Sequence, residues 1–148
     1  MIEVDVQTRQ AVNYLVRELP LFQQNKAIKE GLNDAALIFE SRGRVNYVNS
    51  DIGVKSGETL RSLGIKVTIE RKANGQAYAA AGFRRPEGWK AHILDQGTKP
   101  RYTKTGAYRG YIIPYRFFER ARIEGEKPAM DAIIQGIQRA VARLNNRV

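Results

Sequence analysis

The sequence predicts an α+β domain in which N-terminal helices and a C-terminal helix pack on a small antiparallel sheet of about four strands. Three observations carry this expectation. Apolar residues recur at helical spacing near both ends of the 148-residue chain. Ile65 to Arg71 alternates, with Ile65, Val67 and Ile69 facing one way and Lys66, Thr68 and Glu70 the other, as in a half-buried strand. Ala73-Asn74-Gly75-Gln76 then supplies the Asn-Gly pair favoured in tight hairpins, so the next strand returns antiparallel.

Val4 to Leu19 is the first expected helix, with Thr8, Ala11, Val12, Leu15, Val16 and Leu19 on one face and Asp5 or Thr8 standing as its cap. Pro20 ends or bends it, because proline disfavours helical backbone at the residue before it. A second helix is expected from a cap at Asn25 to about Arg42, burying Ile28, Leu32, Ala35, Ala36 and Phe39 and stopping at Gly43. Gly31, inside it, costs about 1 kcal/mol against Ala and suits close helix packing. Arg44 to Ser56, rich in Asn, Ser, Asp and Gly, reads as a loop holding a short strand at Val45, Tyr47 and Val48. After the alternating strand, Gln76 to Phe83 returns, and Pro86-Glu87-Gly88 turns the chain into a third strand, Trp89 to Leu94. A fourth strand is expected at Tyr108 to Ile113. Pro128 suits the first turn of a final helix and Asp131 its positive end. Met130, Ile133, Ile134, Ile137, Val141 and Leu144 line the apolar face of that helix, and Arg139, Arg143 and Arg147 a solvated one.

The length fits one domain, residues 1–148, with neither internal repeats nor low-complexity tracts. With no cysteine, neither disulfides nor thiolate metal sites are available. The start, Met-Ile-Glu-Val-Asp-Val, has neither the basic nor the apolar region of a signal peptide, and no apolar run approaches a membrane span. A cytosolic protein or a virion component is expected. The net charge of +10 favours acidic partners, nucleic acid among them.

Enzymatic chemistry is not expected. The single histidine, His92, lies three residues from Asp95, which puts the two on opposite faces of a strand. Lys55-Ser56-Gly57 has the order of a phosphate-binding loop reversed. No Asp-x-Asp or Glu-x-x-His spacing suggests metal ligands. No catalytic residue, metal or cofactor is therefore assigned.

The stretch from His92 to Ala121 is where function concentrates. No acidic residue lies between Asp95 and Glu119, and Arg84 to Arg122 holds ten Lys/Arg against three Asp/Glu. Six of the thirteen aromatics fall between Tyr102 and Phe118. The loop breaks from the preceding strand at Gly97, carries Lys99, Arg101, Tyr102, Lys104, Tyr108, Arg109 and Tyr111, and closes on an apolar return, Ile112, Ile113, Pro114, Phe117 and Phe118. Tyr115, Phe117 and Phe118 are expected in the core. The loop itself, polar and glycine-bounded, is expected to be mobile in the isolated domain. It suits a subunit or partner contact, since Tyr and Arg are enriched at interface hot spots. It equally suits nucleic acid, with aromatics stacking on bases and cations neutralising phosphates.

Asp95, Gly97 and Thr98 at the end of one element, then Pro114, Phe117, Phe118 and Ala121 after a variable loop, resemble a pattern of one family. It is the tail-completion and head–tail joining proteins (minor tail components) of long-tailed bacteriophages. Upstream, Ser56 to Leu63, with Gly57, Leu60, Arg61 and Ser62, is similar to that family's Thr-Gly-x-Leu-Arg-x-Ser-Ile segment. Gln96 stands where the family usually has an aromatic, and Glu58-Thr59 adds one residue before Leu60. The resemblance implies a structural protein of the virion tail and neck, assembled in the host cytoplasm. It implies a homo-oligomer, a six-fold ring between tail tube protein and head–tail connector proteins, with DNA passing through unread. The alternative that the residues leave open is a small basic nucleic-acid-binding protein acting through residues 97–111.

Overall fold

The computed structural model describes residues 21–52, 57–69 and 77–146. Six elements follow in order: α1 (Leu21–Val48), α2 (Glu58–Ser62), β1 (Leu63–Ile69), β2 (Ala77–Phe83), α3 (Trp89–Gln96) and α4 (Phe117–Asn145). The described architecture is helical with one two-stranded antiparallel sheet, β1 against β2. The chain divides into two compact units. One comprises Met1–Ile38, Ile65–Ala80 and Glu126–Val148, the other Phe39–Gly64 and Ala81–Gly125. The expected helix Val4–Leu19, the Asn74-Gly75 turn and Arg147 lie outside the described residues.

The expected α+β class holds, but with two strands in place of four. The alternating segment and its return form β1 and β2. Trp89 to Leu94, expected as the third strand, is helix α3. Its run of mixed apolar residues fits either period. Tertiary packing decides for the helix: Ala91 is buried and Leu94 packs on the same cluster, an i, i+3 pair. Gly97 is a helix stop and not a strand break. At φ 72° it donates its N–H to the Ile93 carbonyl (2.8 Å). Tyr108 to Ile113 is not a strand of the sheet; its one bridge is Tyr102 with Tyr108.

Helix α1 starts before Asn25 and runs past Gly43 to Val48. Val45, Tyr47 and Val48 are therefore helical. Gly43 does not end the helix, because its missing side chain makes room for Phe118. A Cβ there would stand 2.7 Å from that ring. The helix ends instead where Asn49 and Ser50 turn back, their N–H groups donating to the carbonyls of Val45 and Tyr47. The Ser50 hydroxyl donates to Tyr47 as well (2.6 Å).

Helix α4 begins at Phe117, well before the expected start at Pro128. Pro128 has no N–H to give the Glu124 carbonyl, a defect that costs about 3 kcal/mol or more inside a helix. The helix continues because a four-residue stripe is buried on both sides of the proline: Phe117, Ala121 and Gly125 before it, Ala129 after.

In the first unit α1 and α4 pack through small residues. Ala27, Ala140 and Val141 are buried, with Ile28 and Ile137 against them. A Cβ on Gly31 would lie 2.5 Å from the Ile133 carbonyl oxygen, and one on Gly136 would lie 2.6 Å from Gly31 Cα. The backbones thus touch where the two glycines meet. Across this contact Arg139 pairs with Asp34, and Arg143 with Glu30. At these two positions the stripe is solvated as expected, and its exposed arginines also form ion pairs with α1.

The second unit holds the larger core. Tyr47, Leu63, Phe83, Ala91 and Phe117 are buried together, with Ile52, Leu60, Leu94 and Phe118 around them. Phe117, fully buried, meets Tyr47 edge-on at 5.0 Å and Phe83 at 5.8 Å. Such pairs add about 0.5–1.5 kcal/mol beyond burial.

Candidate functional site

The residues from Gly97 to Arg116 form a cross-bonded hairpin between α3 and α4. Thr98 N–H donates to the Ile112 carbonyl (3.0 Å), and Ile112 N–H returns to the Thr98 hydroxyl (3.0 Å). Further out, Arg101 donates to Gly110 (2.9 Å) and accepts from Arg109 (2.7 Å), so two residues face one and the hairpin bulges there. At the tip Thr103 donates to the Ala107 carbonyl (2.9 Å), and its hydroxyl accepts from the Ala107 N–H (2.9 Å). The expected mobile loop is thus closed by a ladder from base to tip.

The base is fixed by Asp95. Its carbonyl accepts from Arg116 N–H (3.1 Å), and its carboxylate Oδ1 accepts from Phe118 N–H (2.7 Å). A carboxylate there satisfies an orphan donor of α4 and complements the positive end of the helix. Tyr115 N–H meets the Leu94 carbonyl (3.0 Å), and Arg116 takes φ 52°, an uncommon conformation for a residue with a Cβ. Gly97 admits no side chain: a Cβ would stand 2.6 Å from the Ile112 oxygen and 2.9 Å from Pro114.

The residues that carry the family resemblance gather at this base and in the core beneath it. Phe117 and Ala121 are buried and Phe118 half-buried, while Pro114 is exposed beside Gly97. Gly57, in the left-handed conformation (φ 72°), opens the turn of α2; Arg61 N–H donates to its carbonyl. Leu60 faces the core and Arg61 is exposed. Ser62 is buried, its hydroxyl donating to Thr59 (2.6 Å) and its carbonyl accepting from Arg84 N–H (2.9 Å).

The expected contact residues are on the outside. Lys99, Arg101, Tyr102, Lys104, Tyr108 and Arg109 are all exposed. Tyr102 and Tyr108 face each other across the bridge with ring centres 5.5 Å apart. Among the described residues no carboxylate pairs with Lys99, Arg101, Lys104 or Arg109.

The apolar return differs from its expectation. Phe117 and Phe118 enter the core, but Ile113 is 66% exposed and Tyr111 57%. Pro114 and Tyr115 are exposed too. Ile113 was missed as a surface residue because an isoleucine beside Ile112 reads as core. The alternation of a strand, with Ile112 turned in and its neighbours out, was the available signal. His92 and Asp95 lie three apart on α3, on one side of a helix and not on opposite faces of a strand. His92 is exposed, while Asp95 is committed to α4. No group of three or more His, Cys, Asp or Glu suited to a metal ion occurs among the described residues. No described helix is long and apolar enough to cross a membrane. Comparison with protein-family models, curated proteins and solved structures gives no match.

Proposed function

We propose that this chain is a non-enzymatic structural subunit of a phage tail, acting in tail completion and head–tail joining through its basic aromatic hairpin. The observation that carries the reading is the division of labour around Asp95. Hydrogen bonds at the base fix the path of the hairpin backbone, while Tyr102, Tyr108, Tyr111 and Ile113 are exposed and four cations have no ion pair among the described residues. A segment whose backbone is already hydrogen-bonded has less conformational freedom to lose on docking, so more of its contact energy appears as affinity. The resemblance of Gly57 to Leu63 and Asp95 to Ala121 supplies the class of assembly: a ring, six-fold in the virion, between tail tube and connector.

The test is complementation in a phage lacking the gene. The wild-type chain restores infectious particles; without it, electron microscopy shows tails of unregulated length and heads without tails. Normal particles in its absence would sink the reading. A nucleic-acid surface is the competing use of the same cations. It predicts sub-micromolar oligonucleotide binding at physiological salt, where the structural reading predicts weak, sequence-indifferent binding that salt removes.

A further inference from the structure

The two arms of the hairpin present different backbone edges. The outgoing arm, Lys99 to Lys104, carries Pro100 and three cations, devices that discourage an exposed strand from pairing. The returning arm, Tyr108 to Ile113, has no proline and Arg109 as its one cation. Ile112 spends its N–H and C=O inward on Thr98, and Gly110 its carbonyl on Arg101. The backbone groups of Tyr108, Tyr111 and Ile113 have no hydrogen bond among the described residues. Their side chains are each more than half exposed. A segment laid along this open edge lies about 5 Å from the returning arm and about 10 Å from the outgoing one. Lys99, Arg101, Lys104 and Arg109 then all act on it in dilute salt, where the screening length is about 30 Å at 0.01 M.

Open backbone and uncompensated charge together limit what can cover the edge. A second copy suits it poorly. The described ion pairs already hold six different carboxylates, and Asp95 is spent on capping α4. Asp51, Glu87 and Glu126 have no ion pair among the described residues, but the first two lie in turns and the third in α4. Neither described strand contains an acid. Pairing two of these edges with each other brings like charges together, which is destabilising. Nucleic acid answers the cations but not the backbone. Its phosphate oxygens are acceptors, as are the free carbonyls of Tyr108, Tyr111 and Ile113, and it gives Ile113 no apolar partner.

We infer that the Tyr108–Ile113 edge binds an acidic, extended segment of a different protein. The segment adds to the edge as a strand, its apolar side chains beside Tyr111 and Ile113 and its carboxylates toward the hairpin cations. The inference rests on the structural reading above and names the chemistry of the partner that the hairpin meets. Main-chain hydrogen bonds supply affinity, and alternate side chains supply specificity. Opposite charge speeds the encounter and rejects wrong partners. A chain of net charge +10 attracts such a partner and repels its own copies.

The experiment uses the full-length chain and a fluorescein-labelled peptide, Val-Glu-Val-Asp-Val-Glu-Val, followed by anisotropy. Saturable binding is expected, weakening about tenfold or more from low to high salt. In a paired strand alternate N–H groups point to the partner, so peptides N-methylated at the third and at the fourth residue are expected to differ. One should lose about tenfold or more and the other bind nearly as before. Tyr111→Lys with Ile113→Lys in the chain abolishes binding; if that variant misfolds, the N-methyl pair on the native edge decides. Absence of saturable binding overturns the inference. So does equal binding of the two N-methylated peptides, or of a peptide of the same composition with its acids consecutive. A single-stranded oligonucleotide that displaces the probe more tightly than unlabelled peptide does assigns the edge to nucleic acid. Self-association of the wild-type chain that excess peptide dissolves in sedimentation assigns the edge to a second copy; either result overturns the inference. If the chain restores particles but shows no parity in peptide binding, the structural reading stands and this inference fails. If the parity is found but particles are not restored, the failure belongs to the structural reading instead.

Discussion

Basic residues meet different surroundings in two parts of this chain. Where α1 and α4 cross, Arg139 and Arg143 find Asp34 and Glu30, spaced four apart on one helix to match a spacing of four on the other. On the hairpin, Lys99, Arg101, Lys104 and Arg109 find no carboxylate among the described residues, and the stretch from Gln96 to Phe118 itself contains none. The glycine crossing of the helix pair brings backbones together and seats the ion pairs. The ladder of the hairpin fixes the backbone and leaves the side chains outward. The difference teaches that the charge of a segment says little until its partners are located. One set of arginines forms surface ion pairs between two helices, and the other has no carboxylate partner among the described residues.

The comparison breaks most visibly at the cores beneath these surfaces. Phe117→Ala removes a fully buried ring from the aromatic cluster, and we expect a loss of about 3–5 kcal/mol in chemical denaturation. An unchanged midpoint would mean that the cluster is not the core of the second unit. In the first unit, Gly136→Ala places a methyl against the Gly31 backbone. A loss of about 1–3 kcal/mol is expected, although alanine is the better helix former. A stabilised variant would show that the helices do not touch there.

Smaller effects sharpen the contrast. Asp95→Ala removes the cap of α4 and should cost about 0.5–2 kcal/mol. It should also loosen the hairpin base, seen as faster amide exchange at Thr98, Ile112 and Phe118. For the exposed Arg139–Asp34 pair, a double-mutant cycle should give a coupling of only about 0.2–1 kcal/mol. The smallest change in stability is expected where the largest change in assembly is. Replacing Arg101, Tyr102 and Arg109 by Ala should leave stability within about 1 kcal/mol, yet prevent infectious particles, since such anchors each carry about 2 kcal/mol or more of binding. Full titre with that variant would remove the hairpin from the contact.

By itself the sequence determined the local periodicities: the alternation of β1, its return in β2, and the apolar faces of α1 and α4. It also marked Gly31 as a packing glycine and residues 97–111 as the segment set apart by charge and aromatics. Tertiary structure decided the rest, because the signals were degenerate or distant. Trp89 to Leu94 fits a helix or a strand, and burial of Ala91 beside Leu94 selects the helix. Gly43 looks like a stop until Phe118, far along the chain, occupies the space it leaves. Pro128 looks like a helix start until Asp95, twenty-three residues before Phe118, caps the real one. Ile112 and Ile113 are the same residue type side by side, and only the packing around them makes Ile112 half-buried and Ile113 exposed. Local pattern fixes what a segment prefers, whereas burial and capping by distant residues select among preferences that differ by about a kilocalorie per mole.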